Sequence, residues 1–232
     1  MMRRRSLLAA AAVAATMPGL AEAQIPPPVV GALESLGDER YRLGRIQIDK
    51  RARRFTLSGR VLVSERPLEY LATTPGGMKA YEALLEFETS GTEFNLACIL
   101  IGLEPDPQAV PPRLYRKAPR LVGPRVALTM AWRQADGTLR RVPAAQALLN
   151  ADAGVDPATV EWVYTGAPAP QTQGGFAPDI TGTLIGFVHD ANTIIESVAP
   201  IGLGAYGSVR GHAMLPPVAT PVELTVEALP AR

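Results

Sequence analysis

The chain has 232 residues, with 23 basic side chains, 22 acidic side chains and one cysteine. One cysteine excludes an intramolecular disulfide, a thiolate zinc site and an iron–sulfur cluster. Charges this evenly balanced create no long-range field for nucleic acid or anionic lipid, so no nucleic-acid partner is expected.

The N-terminus has the features of an export signal. Arg3–Arg5 precede an alanine-rich apolar run, and Ala21-Glu22-Ala23 supplies a small-x-small cleavage pattern. Residues 1–23 are therefore predicted to be the signal peptide of a periplasmic or secreted protein, exported by the Sec or the twin-arginine route. The apolar run is shorter than the roughly 20 residues of a membrane span, so no span is expected after cleavage. Cleavage removes three arginines and one glutamate and leaves 20 basic and 21 acidic side chains.

Residues 24–43 are predicted to be an extended leader that starts with a run of prolines, with a short helical turn over Val29–Leu36. Apolar residues indicate strands at 46–48, 55–57 and 61–63. Lys50–Arg54 places four cations in five residues between the first two of these strands. Because this run has no interleaved aromatic residues, a solvated hairpin tip is a better interpretation than a nucleic-acid patch.

The stretch from Leu68 to Pro105 organises the predicted fold. It begins with a short strand, 68–73, and a Pro-Gly turn, and continues with an alternating strand from residue 83 that is expected to be half-buried. Ser90 and Glu93 have the spacing of a capping box, which predicts a helix over Thr92–Leu103. That helix is apolar nearly all round, so it is expected to be buried on most sides as the core of the domain.

A surface excursion is predicted over the proline-rich residues 105–124, and a hairpin follows it. Val126–Trp132 alternates, Asp136-Gly137 indicates a type I′ turn, and residues 138–142 return. A brief helix is expected over 144–149, and Val160, Trp162 and Tyr164 are expected to share one strand face. Further strands are predicted at Phe176, 184–188 and 222–227, and the last can pair with the main sheet or pack elsewhere.

Together these elements predict an α+β fold, in which a mostly antiparallel sheet packs on one buried helix. The predicted domain is single and covers residues 44–196. A Gly/Pro-rich C-terminal segment over 197–232 follows it and holds the last strand segment.

Several runs match a known pattern: Leu68-Glu69, Lys79, Glu82, Leu84-Leu85, the helix that ends at Ile101-Gly102, and the runs 161–166 and 182–185. On these residues the chain resembles the YdjY-like family of uncharacterised bacterial exported proteins over about Ile46 to Glu196. The resemblance implies an α+β exported domain without assigned chemistry. The family's histidines fall at Tyr81 and Asn95 and its aspartate at Thr183. If those histidines bind a metal in relatives, this chain lacks the ligands.

Known cofactor and catalytic motifs are missing their context. Gly202–Gly207 spells GxGxxG, but Pro200 precedes it and prolines follow, so no strand and helix flank it as dinucleotide binding requires. The Pro75–Lys79 run lacks the spacing of a phosphate-binding loop and fits an ordinary turn better than an anion nest. The two histidines, His189 and His212, belong to no compact metal motif, and no GxSxG elbow exists. No cofactor and no metal are therefore expected.

The candidate ligand-binding residues are Lys79, Tyr81, Glu82, Asn95 and Asp179. Glu82 and Asn95 bracket the predicted apolar core, where polar side chains need a reason. We hypothesise that the five line a shallow pocket between sheet and helix, with Trp162 nearby. The alternative is that Lys79 and Glu82 are surface charges and that Asn95 bonds to backbone.

The sequence leads us to expect a non-catalytic periplasmic binding or accessory module for a small ligand or a periplasmic protein partner. One alternative is a degenerate relative of a metal-dependent enzyme, because the histidines are missing at Tyr81 and Asn95. Another is a structural component of the cell envelope, which the proline-rich leader and tail would suit.

Overall fold

The computed structural model describes residues 30–105, 120–150, 159–168, 175–201 and 208–231. The predicted α+β class is wrong, because these residues are mostly β-structure and eight of their strands close into a barrel. The strands are β1 (Leu33–Gly37), β2 (Arg40–Leu43), β3 (Ile46–Asp49), β4 (Arg54–Val61), β5 (Tyr70–Thr73), β6 (Ala83–Phe87), β7 (Arg125–Arg133), β8 (Leu139–Pro143), β9 (Leu148–Asn150), β10 (Trp162–Tyr164), β11 (Thr183–Gly186), β12 (Ile195–Ser197), β13 (Val209–Gly211) and β14 (Pro221–Ala228). Two short helices accompany them, α1 (Gly91–Leu100) and α2 (Ala177–Thr181).

The barrel runs in the order β4-β14-β7-β10-β12-β11-β5-β6 and closes where β6 pairs with β4. Neighbouring strands are antiparallel except for β11–β12 and β5–β6, which are parallel. Every one of the eight strands contributes buried residues to a single apolar cluster. Because a closed sheet can bury one face against itself, the strands supply their own core and need no central helix.

β4 joins the barrel to an outer sheet. Its first residues pair with β3, as in Asp49↔Arg54, and its last residues pair with β6, as in Val61↔Leu85. From β3 the outer sheet continues through β2 to β1. The helical turn predicted over Val29–Leu36 is therefore wrong in the described part, where Leu33–Gly37 is a strand. Pairing with β2 stabilises the extended conformation against any local helical preference.

The C-terminal strand β14 lies in the middle of the sheet. It pairs along its length with β4 on one side and with β7 on the other. Its alternation of buried Val222, Leu224 and Val226 with more exposed residues agrees with the predicted period of two. The last strand thus pairs with the main sheet, and the barrel cannot close without it.

Helix α1 begins and ends close to its predicted limits but packs differently. Both hydrogen bonds of the Ser90–Glu93 capping box are present, and Phe94 packs edge-on against Phe55, with ring centroids 5.4 Å apart. However, Leu96 is 38% and Ile99 46% exposed, so the helix buries one face only. It lies against β3 and β11, and its buried residues Phe94, Ala97 and Cys98 belong to the same apolar cluster as the strands. No helix within the described ranges is long and apolar enough to cross a membrane.

The β7–β8 hairpin is confirmed, but the type I′ turn is wrong. Gly137 has a φ of +82°, whereas Asp136 has no positive φ. The Gly137 N–H donates to the Gln134 carbonyl (2.9 Å), and the Gln134 N–H donates to the Thr138 carbonyl (2.8 Å). Since a type I′ turn needs positive φ at both central residues, this is the longer turn that ends in a left-handed glycine.

Other local predictions had mixed outcomes. β6 was expected to be half-buried, but all five of its residues are buried, and the Glu86 carboxylate pairs with Arg60 (2.6 Å). Phe176 precedes α2 instead of forming a strand. The basic run 50–54 is exposed between β3 and β4, as expected of a hairpin tip. Most of the 105–124 excursion and all of 202–207 lie outside the described residues.

Candidate functional site

Three of the five predicted site residues lie together in the turn before β6. The Lys79 ammonium donates to Glu82 Oε1 (2.6 Å) and to the Tyr81 hydroxyl (3.5 Å), and it lies 5.7 Å from the centroid of the Tyr81 ring. The hydrogen bond to Glu82 raises the pKa of Lys79 above its ordinary value. Glu82 is only 4% exposed, so Lys79 neutralises a buried carboxylate at the edge of the barrel.

The other two predicted residues make separate contacts along α1. The Tyr164 hydroxyl donates to Asn95 Oδ1 (2.7 Å), which joins the helix to β10. Asp179 accepts the Thr92 N–H (2.9 Å) and the Thr92 hydroxyl, which satisfies a free donor in the first turn of α1. Among the described residues, no hydrogen bond or ion pair connects these two groups with each other or with Lys79. Trp162 is 4% exposed and belongs to the barrel core.

A buried acidic network that the sequence did not reveal lies beneath the connection from β11 to β12. The Tyr70 hydroxyl donates to Asp190 Oδ2 (2.8 Å), and the Asp190 N–H donates to Glu196 Oε1 (2.9 Å). Burial, and next the Glu82 carboxylate, raise the pKa of the half-buried Glu69 beside it. In sequence these glutamates resemble the polar positions of ordinary strands, so only their burial marks them.

Glu196 is the most perturbed member of this network. Burial raises the pKa of Glu196 to about 8. The Asp190 carboxylate acts in the same direction, and the backbone N–H groups of Asp190 and His189 and the Thr193 hydroxyl act against it. That hydroxyl nevertheless closes no hydrogen bond of normal geometry, and Glu196 Oε2 has no partner in the described chain. The carboxylate lies against Gly186, where an added Cβ would be 2.9 Å from Oε1. Gly186 thus leaves the space that the carboxyl group fills.

The polar atoms of this network do not converge on one ligand position. His189 lies 4% exposed with φ +65°, and its Nε2 is 2.8 Å from the Ser197 carbonyl oxygen. Ser197 is in register with the core residue Trp162, so strand alternation directs its hydroxyl to the face opposite Glu196. Within the described ranges, no three His, Cys, Asp or Glu residues are placed to hold a metal ion. We therefore interpret the network as structural.

An open trough of about 640 Å³ lies on the outer face of β2, β3, β4, β14, β7 and β8. We call it the polar trough. Its floor is a row of short polar side chains on four adjacent strands, which are direct cross-strand partners: Gln47, Thr56, Thr225 and Thr129. None of these side chains takes part in the hydrogen bonds found within the described residues. Their hydroxyl and amide groups are therefore available to a ligand.

Longer charged side chains flank this floor. On one side, a second row of cross-strand partners alternates in sign: Arg40, Asp49, Arg54 and Glu227. On the other side stand Glu223 of β14 and Arg141 of β8. The lining therefore holds three arginines and three carboxylates, so its formal net charge is zero. Leu36 of β1, 50% exposed, lies at the end of the trough nearest the outer sheet.

The fold and the trough define a closed, mixed β-barrel protein with an open polar sheet face. The family follows from the sequence: residues 46–227 match the YdjY domain, so the chain belongs to the YdjY domain family. The match extends through most of β14, in keeping with the place of that strand in the barrel. No curated protein and no solved structure matches the chain significantly.

Proposed function

We propose that this protein is a non-catalytic binding or accessory module of the periplasm and that the polar trough is its binding surface. The observation that carries the proposal is the floor of the trough, where four polar side chains in register have no hydrogen-bond partner in the described chain. A concave surface on which several polar groups converge is a candidate ligand-binding site.

The chemistry of the lining supports binding over catalysis. The residues found to line the trough include no histidine, cysteine, serine or lysine, so catalysis there would depend on its carboxylates, on Tyr41 or on its threonines. Glu223 and Glu227 are exposed, and an exposed carboxylate lacks the desolvation by which hydrolases tune a general acid. The buried Glu196, whose pKa is raised, lies in the network under the β11–β12 connection and is not part of this lining.

The export signal predicted over residues 1–23 supports the periplasmic assignment. A near-neutral binding surface also suits the space between membranes better than the surface of an anionic bilayer, which basic patches recognise.

The proposal is tested by NMR of the mature protein with labelled threonine methyl groups. The probes are a neutral oligosaccharide, a basic peptide, an acidic peptide and anionic lipid vesicles. At least one probe should shift the methyl signals of Thr56, Thr129 and Thr225 and leave that of Thr220, which lies outside the trough, unchanged. If every probe leaves the three signals unmoved, the trough is not a binding surface. Turnover of a bound probe, or a stoichiometric metal in native mass spectrometry, would overturn the non-catalytic assignment.

A further inference from the structure

We infer that the polar trough binds a neutral, hydroxyl-rich chain, an oligosaccharide, lying across the strands. This inference rests on the proposed function, since it names the class of ligand for the same surface. It follows from the charge, the floor, the walls and the direction of the trough.

The charge balance disfavours ionic ligands. Three arginines and three carboxylates alternate along the walls, so a polyanion would meet repulsion from Asp49, Glu223 and Glu227. A polycation would meet repulsion from Arg40, Arg54 and Arg141. Charges of both signs at close spacing suppress ligands that carry a run of either sign. An uncharged polar chain meets neither penalty.

The floor matches hydroxyl groups. A threonine hydroxyl donates one hydrogen bond and accepts two, and the amide of Gln47 both donates and accepts. A sugar hydroxyl has the same dual character, so every group on the floor can pair without a fixed polarity. The three threonines are half-buried, which favours a ligand that replaces the water on them with equivalent hydrogen bonds.

The walls suit pairs of adjacent hydroxyl groups. Arginine presents a planar fork of donors, and a carboxylate presents two acceptor oxygens, so each can form two parallel hydrogen bonds. Arg54, Arg141, Glu223 and Glu227 make no ion pair with one another in the described chain, although they lie along the same trough. Their polar ends are therefore free to take part in such contacts from either wall.

The direction of the trough disfavours a peptide. The floor row crosses four strands, and three strand spacings give it a length of about 14 Å perpendicular to the strands. A peptide that joins a sheet lies along a strand edge, and peptide affinity depends on apolar anchors in pockets. The one exposed apolar side chain of the lining is Leu36, at the end of the trough.

The test is affinity electrophoresis of the mature protein in native gels that contain hydroxyethyl cellulose, a neutral polysaccharide. A parallel gel contains carboxymethyl cellulose, which has the same backbone with negative charges. We expect retardation in the neutral gel and weaker retardation in the anionic gel. The triple variant T56V/T129V/T225V keeps the β-branched shape but removes three hydroxyls, and its apparent affinity should fall about tenfold or more. The matched control T220V should migrate like the wild type.

Because three replacements of a hydroxyl by a methyl group at half-buried positions can alter folding, Thr225→Val alone is measured as well and should weaken retardation by about threefold. Equal retardation of wild type and triple variant, or retardation only in the anionic gel, overturns the inference. If a peptide or the lipid vesicles shift the three threonine methyl signals while the neutral gel shows no retardation, the ligand class is wrong but the binding function stands. If no probe shifts these signals and the neutral gel shows no retardation, both proposals fail.

Discussion

The Glu93 carboxylate joins the N-terminal part of the described chain to helix α1, and its removal should be costly. Its Oε1 accepts the Gly31 N–H (2.8 Å), and its Oε2 accepts the Ser90 N–H and the Thr89 hydroxyl (both 3.2 Å). Glu93→Ala loses a capping interaction, about 1 kcal/mol, and a charged hydrogen bond to Gly31, about 2 kcal/mol. The expected loss of unfolding free energy is therefore about 3 kcal/mol.

Urea unfolding followed by circular dichroism measures this loss, and thermal unfolding should show a decrease in Tm of about 6–12 °C for a domain of this size. The matched control is Glu88→Ala. Glu88 pairs with Arg45 at 2.6 Å, but both side chains are more than half exposed, so this variant should lose less than about 1 kcal/mol. Equal destabilisation of the two variants would show that the hydrogen bonds of Glu93 contribute nothing specific.

A double-mutant cycle with Gly44 isolates the contact further. Gly44 has a φ of +54°, and a Cβ added there would lie 2.7 Å from Glu93 Oε1. Gly44→Ala therefore combines backbone strain of about 1–2 kcal/mol with displacement of the carboxylate. In the Glu93→Ala background only the strain remains, so the double variant should be more stable than the sum of the single losses predicts. Additive losses would contradict the steric argument. Gly37 has a φ of +81°, and a Cβ added there would have nothing within 4 Å. Gly37→Ala therefore measures the cost of backbone strain alone.

Three further predictions concern buried polar groups. Burial raises the pKa of Glu196 to about 8, so the folded state holds a proton that the unfolded state loses near pH 4.5. The free energy of unfolding of the wild type should therefore decrease as the pH rises from about 4.5 to about 8. Urea titrations at several pH values measure this decrease, and Glu196→Gln should remove it. Tyr164→Phe removes the hydrogen bond to Asn95 and should cost about 1 kcal/mol in urea unfolding while leaving retardation in polysaccharide gels unchanged. Burial raises the pKa of the Cys98 thiol well above its usual range. A thiol reagent should therefore react with the native protein only as fast as the protein unfolds. Rapid reaction would contradict the packing of α1.

The predictions that succeeded depend on residues close together in sequence. The capping box needs only Ser90 and Glu93, and the β7–β8 hairpin needs alternation on both sides of Asp136-Gly137. Even there, the turn type was wrong, because the choice between two-residue and longer turns depends on how the strands twist against their neighbours. Local signals predicted where elements begin and end better than how they pack.

The candidate site shows the same division. Lys79, Tyr81 and Glu82 are close in sequence and in space, and the structure brings them into contact. Asn95 and Asp179 were grouped with them by reasoning about a shared pocket, but each has its own partner on or beside α1. The floor of the polar trough was missed, because Gln47, Thr56, Thr129 and Thr225 become neighbours only through pairing of four strands.

The sequence by itself determined the positions of most strands, the start of α1 and the absence of an intramolecular disulfide, since these depend on local periodicity, capping and cysteine count. Only the tertiary structure decided that β14 lies between β4 and β7, that β6 closes a barrel on β4, and that Glu196 is buried. The physical reason is that strand pairing uses backbone groups that every residue carries. Side-chain patterns therefore show that a segment needs partners, and the packing of the whole chain decides which partners it receives.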